Sequence, residues 1–365
     1  MMRLRHLHLP HRAASSLYPP YSLASRVQEH LRRRHLDFKD HPSPPSSSPA
    51  SSRSSCDATA WPPKPPLSPP GVTVAHRPHR VHRVHRAQQD TQPPPPFLLS
   101  FTPMPTYTLG RRQTAPLTDH EAARLKAPLH VIWPGQGDGF PSAPSSAPPL
   151  PVTILHSPRG GLTTYHGPGQ AVLWPVLDLK SPHHREFTVR CYSRLLEDTT
   201  IATLQLLFGL AAFTTADPGV WVTPSAGSQA GKDPAKIAAL GVHLRRHVSA
   251  LGTAINIAMP GANVVSEEMN PWARIVACGL EGKTVTSAAA EVGGDLPSLD
   301  RLLGSPDREE AVISAWAEEL ARRIRLDGVD SASRDDVVGL VTDILSQTDD
   351  VTAEESEYVK RLQSL

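Results

Sequence analysis

Cys278 is the residue whose type and setting most directly suggest chemistry. It lies in the stretch IVACGLEGK (275–283), between apolar residues and a glycine. A cysteine attacks carbonyl carbons as a thiolate, and a free thiol has a pKa of about 8.5, so a nucleophilic role needs a neighbouring group that favours the charged form. Without such a group, Cys278 is equally well explained as a small apolar residue at the end of a strand.

Lys236 is the candidate for that neighbouring group. It opens the apolar segment KIAALG (236–241), directly after a loop at 225–235. Its ammonium could act as a fixed positive charge beside a nucleophile or a substrate carbonyl, and Coulomb attraction would then favour a thiolate in a partly dry site. A lysine at the start of a buried strand also commonly packs its stem on apolar surface and places its ammonium in solvent. Sequence order alone does not make Lys236 and Cys278 neighbours.

A glycine-bearing segment, RGGLTTYHGPGQ (159–170), is the third stretch with chemical potential. Glycines let the backbone approach a ligand or take a positive φ, and Arg159, Tyr165, His166 and Gln170 would supply polar groups around it. The segment matches neither a Walker loop nor GxGxxG. A tight hairpin with a hydrogen-bonded histidine explains it equally well.

The composition limits the other classes of function. The 365 residues include 39 prolines, so much of the chain is not packed core, and a net charge of +2 gives no strong field for nucleic acid or a membrane surface. Cys56, Cys191 and Cys278 are too few for a disulfide framework and are typical of a reducing compartment. The chain has no CxxC or Cys/His ligand spacing, and we predict neither a metal nor a cofactor. The longest apolar runs are too short to cross a bilayer.

Periodicity predicts the elements that must position these residues. Helices are predicted over 21–38 and 185–209, with two or three more over 306–365. The strand predictions are a strand, a turn and a short extended piece in FLLSFTPMPTYTLGRR (97–112), then VTIL (152–155), AVLWPVLDL (171–179), GVWV (219–222), KIAALGVHL (236–244), GTAINIAM (252–259) and RIVAC (274–278). Strands beside helices indicate an α/β (α+β) single domain with a central mixed β-sheet flanked by helices.

Composition shifts divide the chain into segments. Residues 1–20 are Arg-rich, Ser-containing and free of acid, which is typical of a mitochondrial leader, although a disordered basic tail fits equally. A Pro/Ser/His-rich disordered insertion is predicted over 40–96, including the tract HRPHRVHRVHR (76–86), and 113–150 is predicted to be poorly ordered. This leaves 21–39 as the first helix of a catalytic domain at 97–290, with 291–365 as a C-terminal helical extension.

The motifs together resemble one enzyme family. In chain order they are YSLASRVQEHL, FTPMPTYTLGRR, RGGLTTYHGPGQ, PGVWV, KIAALGV, and ACG followed by KTVTS. This series is similar to the octanoyltransferases of lipoate biosynthesis, or lipoyl(octanoyl) transferases, over roughly 21–39, 97–112 and 151–290. The Pro-rich insertions and RIVACGLEGK resemble fungal mitochondrial members. The resemblance implies a biotin/lipoate protein ligase-like fold with long disordered insertions.

The resemblance also implies a reaction. It makes Cys278 the nucleophile that takes octanoyl from octanoyl-acyl carrier protein as a thioester, and Lys236 its partner. The implied acceptors are lipoyl domains of 2-oxoacid dehydrogenase E2 subunits and the glycine cleavage H protein, in the mitochondrion, as the first step of endogenous protein lipoylation. The implied acyl-binding walls are Arg159, Gly160, Gly161, Leu162, Thr163, Thr164, Tyr165, His166, Ala239, Leu240, Gly241, Gly252, Thr253 and Ala254.

Two positions depart from the family pattern. Ala277 stands where the family usually has proline, and Leu251 stands where it usually has histidine, while Asn256 is kept. Two rival interpretations follow: an ATP-dependent lipoate or biotin protein ligase, which shares a lysine like Lys236 but needs an adenylate site, and a catalytically inactive module that binds lipoyl domains. Cys56 and Cys191 are interpreted as bystanders.

Overall fold

The computed structural model describes residues 2–40, 92–132, 148–224, 233–261, 264–275, 283–292, 302–303, 305 and 307–364. The strands of this part are β1 Leu4–Leu9, β2 Phe97–Phe101, β3 Thr106–Leu109, β4 Thr153–His156, β5 Thr164–His166, β6 Gln170–Val176, β7 Val220–Val222, β8 Ala235–Arg245, β9 Val248–Asn256 and β10 Val329–Ser331. The helices are α1 Tyr21–Asp40, α2 Asp119–Lys126, α3 Val189–Phe208, α4 Ala288–Glu291, α5 Arg308–Arg323, α6 Arg334–Ser346 and α7 Ala353–Gln363.

A mixed sheet forms the centre of the molecule, and the predicted fold class is confirmed. Its strand order is β10-β1-β2-β6-β9-β8-β7. The pairs β10-β1 and β1-β2 are parallel, and all pairs from β2 to β7 are antiparallel. A smaller sheet, β4-β3-β5, carries the connection between β4 and β5 (157–163), which contains Arg159.

Helices cover both faces of the central sheet. On one face α3 and α5 bury an apolar cluster that includes Leu196 and Trp316, and the Trp316 indole N–H donates to Thr200 Oγ1 at 3.0 Å. On the other face α1, α6 and α7 pack over Trp174 and Leu99. Because each helix buries one apolar side on the sheet, the strands between them are buried on both faces, and their sequences are correspondingly apolar.

The helix predicted over 185–209 is α3, shortened at its start by a cap. Thr188 Oγ1 accepts from the backbone N–H of Cys191 at 3.1 Å, which satisfies an otherwise unpaired donor of the first turn. The helix ends at Gly209, whose φ of 66° suits a glycine.

Both ends of the chain differ from the sequence-based division. The segment interpreted as a leader (1–20) contains β1, which lies between β2 and β10 with Leu4 and Leu9 fully buried. The segment interpreted as an extension (291–365) supplies β10 and the core helix α5. In this structure the two ends therefore belong to the same domain as 97–290.

Two internal predictions also need correction. Part of the stretch 113–150 that we expected to be poorly ordered forms α2, which opens with a capping box: Thr118 and Glu121 each bond the other's backbone N–H. The strand predicted over 274–278 begins with Arg274, which instead ends a 3₁₀ helix, Pro271–Arg274, capped by Asn270. Residues 276–282, and with them Cys278, lie outside the described part.

Cys191, which was interpreted as a bystander, is disulfide-bonded. This differs from the expectation of unpaired cysteines, and the partner of Cys191 lies outside the described residues.

In the described part of the chain, each helix is too short or too polar to cross a bilayer.

Candidate active site

Small residues on two adjacent strands build the floor of the candidate site. The antiparallel register of β8 and β9 pairs Ala239 with Ala254 and Gly241 with Gly252. Directly paired residues share one face of a sheet, so these four lie side by side and leave a trough above them. Gly252 must be small for a second reason, because a Cβ there would lie 2.2 Å from the Leu173 carbonyl oxygen.

A cavity of ≈ 480 Å³ lies over this floor. Its volume falls within the range of about 300–1,000 Å³ that is usual for small-molecule sites. The predicted site residues that line it are Lys236, Arg159, Gly160, Gly161, Thr164, His166, Ala239, Leu240, Gly241, Gly252, Thr253 and Ala254. Leu162, Thr163 and Tyr165 are not among its lining residues. The structure therefore brings most of three distant segments together around one space.

Arg159 is engaged by the protein itself. Its guanidinium donates to the Thr108 carbonyl oxygen at 2.6 Å and to the Leu162 carbonyl oxygen at 2.7 Å. Its stem lies over Gly241, where a Cβ would come 3.1 Å from Arg159 Cδ. Arg159 thus fixes the 159–162 turn against β3 and shapes one wall with its methylenes, and its cation is largely saturated by backbone oxygens.

The residues that do not line the cavity support it from behind. The Leu162 carbonyl accepts from Arg159, and Thr163 is buried directly before β5, which begins at Thr164. The Tyr165 ring points away, into an aromatic group in which it lies 5.3 Å from Tyr107 between ring centroids.

His166 is held neutral in a chain of side-chain hydrogen bonds. Burial, reinforced by the positive charge of Arg159, lowers the pKa of His166 to about 3. Its Nδ1 lies 3.3 Å from Gln170 Oε1, Gln170 Nε2 donates to Asn256 Oδ1 at 2.8 Å, and Asn256 Nδ2 donates to the Thr286 carbonyl oxygen at 2.9 Å. A neutral imidazole suits an apolar wall, because burying a charged ring in surroundings of low dielectric would cost solvation free energy.

Aromatic and aliphatic side chains close the cavity toward β6. Tyr21, at the start of α1, stacks on His166 at 5.4 Å and meets Trp174 edge-on at 5.1 Å between ring centroids. Leu251 lines the same side. None of these three was a predicted site residue. Tyr21 and Trp174 looked like ordinary core positions, Leu251 was noted only as a departure from the family pattern, and the packing of α1 on the sheet brings Tyr21 to the cavity.

Lys236 lies on the opposite side, toward β7. It is only 6% exposed, its Nζ donates to the Pro218 carbonyl oxygen at 2.9 Å, and it sits 4.7 Å from the centre of the Trp221 ring. A cation over an indole is stabilised by the ring quadrupole. Gly219 permits this arrangement, because its φ is +123° and a Cβ there would come 3.3 Å from Lys236 Cε. The ammonium is therefore fixed rather than mobile in solvent.

Two carboxylates flank the Lys236 side. Glu197 of α3 lines the cavity and accepts from the Gly219 N–H at 3.2 Å, and burial raises the pKa of Glu197. Asp217 accepts from Lys283 Nζ at 2.5 Å, and this hydrogen bond lowers the pKa of Asp217. Neither acid was a predicted site residue, since neither lies in a motif.

The chain that follows Cys278 returns to Lys236. The Lys236 N–H donates to the Thr284 carbonyl at 2.9 Å, and the Thr286 N–H donates to the Lys236 carbonyl at 3.0 Å. Lys283 Nζ lies 5.2 Å from the centre of the same Trp221 ring. The described part of the site thus combines an apolar trough, a fixed ammonium and the chain that leaves Cys278.

A family model for the lipoyl protein ligase A/B catalytic domain matches residues 81–321. The chain belongs to this family. The match spans every segment of the cavity except Tyr21.

Curated relatives of this chain are named octanoyltransferases. A protein of Schizosaccharomyces pombe named "Probable octanoyltransferase" is 35% identical over 214 residues, which cover 58% of this chain and 76% of that protein. The Danio rerio octanoyl-acyl-carrier-protein:protein N-octanoyltransferase LIPT2, mitochondrial, is 34% identical over 193 residues, 53% of this chain and 66% of that one. Octanoyltransferases of Rickettsia africae and its relatives are 38% identical over 138 residues, 58% of their length. These relatives confirm the prediction of an acyltransferase.

A solved structure from Thermoplasma acidophilum, a bipartite lipoate protein ligase with its E2 lipoyl domain, aligns with 100% of this chain and 93% of its own. Its sequence identity is 11% and its TM-score is 0.47.

Proposed function

We propose that this protein transfers an octanoyl group from octanoyl-acyl carrier protein to the acceptor lysine of lipoyl domains, through a thioester on Cys278. The acceptors are the lipoyl domains of 2-oxoacid dehydrogenase E2 subunits and the glycine cleavage H protein. Family membership and the named octanoyltransferase relatives support octanoyl transfer in lipoylation. The donor, the thioester and the acceptors are the finer parts of the proposal.

One observation carries it: a trough of small residues runs across the sheet from a fixed ammonium to an aromatic wall. Trp221 and Trp174 lie on β7 and β6, three strand spacings apart. At about 4.8 Å per spacing this is roughly 14 Å, and an extended eight-carbon chain spans about 9 Å with carbon–carbon bonds near 1.5 Å. A medium acyl chain therefore fits lengthwise, with its carbonyl near Lys236 and its methyl end toward Trp174.

The two acyl-transfer steps balance in atoms and charge, and neither step needs ATP. The Cys278 thiolate forms a carbon–sulfur bond to the donor carbonyl, and the phosphopantetheine thiolate leaves with the proton that Cys278 lost. The acceptor amine then forms a carbon–nitrogen bond, and the Cys278 sulfur leaves and takes up the amine's proton. The first exchange is near neutral and amide formation is downhill. Lys236 supplies positive charge for the thiolate and for the carbonyl oxygen as it becomes negative.

The described residues support a position for Cys278 near Lys236. Lys283, five residues further along, reaches the Trp221 ring and Asp217. The backbone of Thr284 and Thr286 is hydrogen-bonded to Lys236. From this proximity along the chain we infer that Cys278 lies within reach of the ammonium, at the Lys236 end of the trough.

Intact mass measurement tests the proposal. The protein is incubated with octanoyl-acyl carrier protein, without ATP, in the presence of a reductant because Cys191 is disulfide-bonded. We expect one octanoyl adduct that a lipoyl domain removes, that is absent in Cys278→Ala and that persists in the matched control Cys56→Ala. An adduct that survives Cys278→Ala would refute the thioester.

The role of Lys236 has its own test. Lys236→Ala should raise the pH midpoint for alkylation of Cys278, because the thiolate loses a nearby cation. Lys283→Ala is the control, since it removes a second ammonium that contacts the same ring. A midpoint that Lys236→Ala leaves unchanged, or that Lys283→Ala raises more, would remove the proposed role.

The same assay distinguishes the proposed transferase from the ATP-dependent ligase and from the inactive binding module. Octanoylation of a lipoyl domain that requires ATP and free octanoate would indicate a ligase. Binding of a lipoyl domain without acylation under either condition would indicate the inactive module.

A mitochondrial location is also part of the proposal. It is supported by the mitochondrial relative from Danio rerio. Fractionation of cells that express the full chain with a C-terminal tag tests it, and recovery outside the mitochondrial fraction would contradict it.

A further inference from the structure

Two histidines and a glutamate converge at the junction of the two chain ends, away from the acyl cavity. His8 lies on β1, His11 follows that strand, and Glu310 lies in the first turn of α5. One ring nitrogen of each histidine and one carboxylate oxygen of Glu310 lie within 4.8 Å of one another. His8 Nε2 lies 3.7 Å from Glu310 Oε1.

Each imidazole has one nitrogen that makes no hydrogen bond. His8 Nε2 and His11 Nδ1 are buried and lack a hydrogen-bond partner. The His11 side chain is only 3% exposed, so solvent does not satisfy it. A buried polar atom without a partner costs free energy, and such atoms commonly mark a missing ion or water.

The other nitrogen of each ring is already oriented by the protein. His8 Nδ1 lies 2.9 Å from Ser100 Oγ, and His11 Nε2 lies 3.7 Å from Glu309 Oε2. The Glu309 carboxylate also accepts from Arg308 Nε at 3.2 Å, so its charge is compensated. Histidine ligands characteristically present one nitrogen to the metal and hold the other against a carboxylate or hydroxyl.

We propose that His8, His11 and Glu310 form a binding site for a divalent transition metal ion, with Zn²⁺ the best match. Two imidazole nitrogens and one carboxylate oxygen are a donor set that zinc uses, with a fourth position open to water. Zinc bonds of about 2.0–2.2 Å place tetrahedral ligands roughly 3.4 Å apart, so the observed separations need only a small closure. The ion would tie β1 to α5 and thereby join the two ends of the chain.

The site was hidden from sequence motifs because Glu310 comes from the other end of the chain. The prediction of no metal rested on the lack of Cys/His ligand spacing, and it took no account of pairing between β1 and the C-terminal segment. His8 and His11 are moreover in the stretch interpreted as a leader.

Metal titration of the full chain tests the proposal. The background protein carries glutamine at the four histidines of the 76–86 tract, which could bind metal independently: His76, His79, His82 and His85. After treatment with a chelator it is titrated with Co²⁺ and followed by visible absorption, and Zn²⁺ affinity is measured by displacement of the Co²⁺. We expect one equivalent of Co²⁺ with the intense bands of tetrahedral coordination.

Variants then assign the ligands. Glu310→Gln and His8→Gln should each weaken binding by at least about tenfold, whereas His120→Gln, an exposed histidine outside the cluster, should leave it unchanged. The Glu310 side chain is 45% exposed, so Glu310→Gln is expected to fold and decides the outcome even if His8→Gln does not fold. An absent Co²⁺ band in the background protein, or an unchanged affinity in Glu310→Gln, would overturn the proposal.

Discussion

Replacing Ala254 with leucine should shorten the proposed acyl trough from its aromatic side. Ala254 lies on β9, next to β6, and packs in the same cluster as Tyr21 and Trp174. The exchange adds three carbons that point into the cavity, because Ala254 lines it and shares a face with Ala239. The Lys236 side, on β8 and β7, is left as it is.

The size of the effect follows from the methylenes displaced. A leucine at 254 occupies the space of about two terminal carbons of the octanoyl chain. At ~0.8 kcal/mol for each buried methylene, the loss is about 1.6 kcal/mol, which corresponds to roughly 15-fold in kcat/KM. A hexanoyl chain lacks those two carbons, so its kcat/KM should be nearly unchanged.

The assay compares octanoyl- and hexanoyl-acyl carrier protein as donors to a lipoyl domain, with kcat/KM measured for each. Ala211→Leu is the matched control, since it makes the same exchange at an exposed alanine outside the cavity. The octanoyl-to-hexanoyl ratio should fall about 15-fold in Ala254→Leu and stay constant in Ala211→Leu. An unchanged ratio in a folded Ala254→Leu protein would refute the placement of the methyl end beside Trp174.

Two further predictions concern stability. Gly252→Ala should lower the free energy of unfolding, measured by urea denaturation, by about 1–3 kcal/mol, because its Cβ would lie 2.2 Å from the Leu173 carbonyl oxygen. Gly339→Ala in α6 is the control: open space surrounds that position, so the free energy of unfolding should rise by about 0.5–1 kcal/mol. Equal effects of the two substitutions would contradict the steric argument. Burial lowers the pKa of His35 to about 4 and that of His166 to about 3, so the unfolded chain binds protons that the folded one does not as the pH falls below 6.5. The free energy of unfolding should therefore keep its highest value above pH 6.5 and fall by a few kcal/mol toward pH 4. A free energy of unfolding that does not change between these pH values, or that falls as steeply in His35→Leu as in the unmodified protein, would be inconsistent with neutral buried rings.

Local patterns predicted the elements that carry strong periodicity. The helix at 21–38 is α1, and the runs at 171–179, 236–244 and 252–259 are β6, β8 and β9, each displaced by a few residues. Helix ends moved where a cap decides them, as Thr188 does for α3. These elements hold the floor of the cavity. The floor residues themselves were predicted from the family resemblance, and local patterns supplied only the strands that carry them.

Features that depend on distant pairing could not be anticipated in the same way. β1 has basic residues between its leucines and was interpreted as a leader; it is a strand because β2 and β10 pair with it. β10 is three residues long and has no periodicity to detect. Tyr21 looked like one apolar position of a helix, and it reaches the cavity only because α1 packs over β6 and β9.

Position 251 raised the question of whether a polar group that the family usually has is lost. In this structure Leu251 takes a φ of 63° and is buried against the cluster that contains Trp174, so it serves as an apolar wall. The polar contacts run elsewhere, from Gln170 through Asn256 to the Thr286 carbonyl.

The hydrogen bonds from Gln170 through Asn256 to Thr286 connect the two sides of the site. The Thr286 N–H donates to the Lys236 carbonyl, so a continuous path of hydrogen bonds joins His166 on the aromatic side to the strand that carries the ammonium. Because Asn256 bridges the two halves, its loss would remove the donor to the buried Thr286 carbonyl. Gln170 Nε2 would keep only its longer contact with the Tyr165 carbonyl oxygen, at 3.4 Å. Asn256, rather than residue 251, thus links the aromatic wall of the cavity to Lys236 and to the chain that follows Cys278.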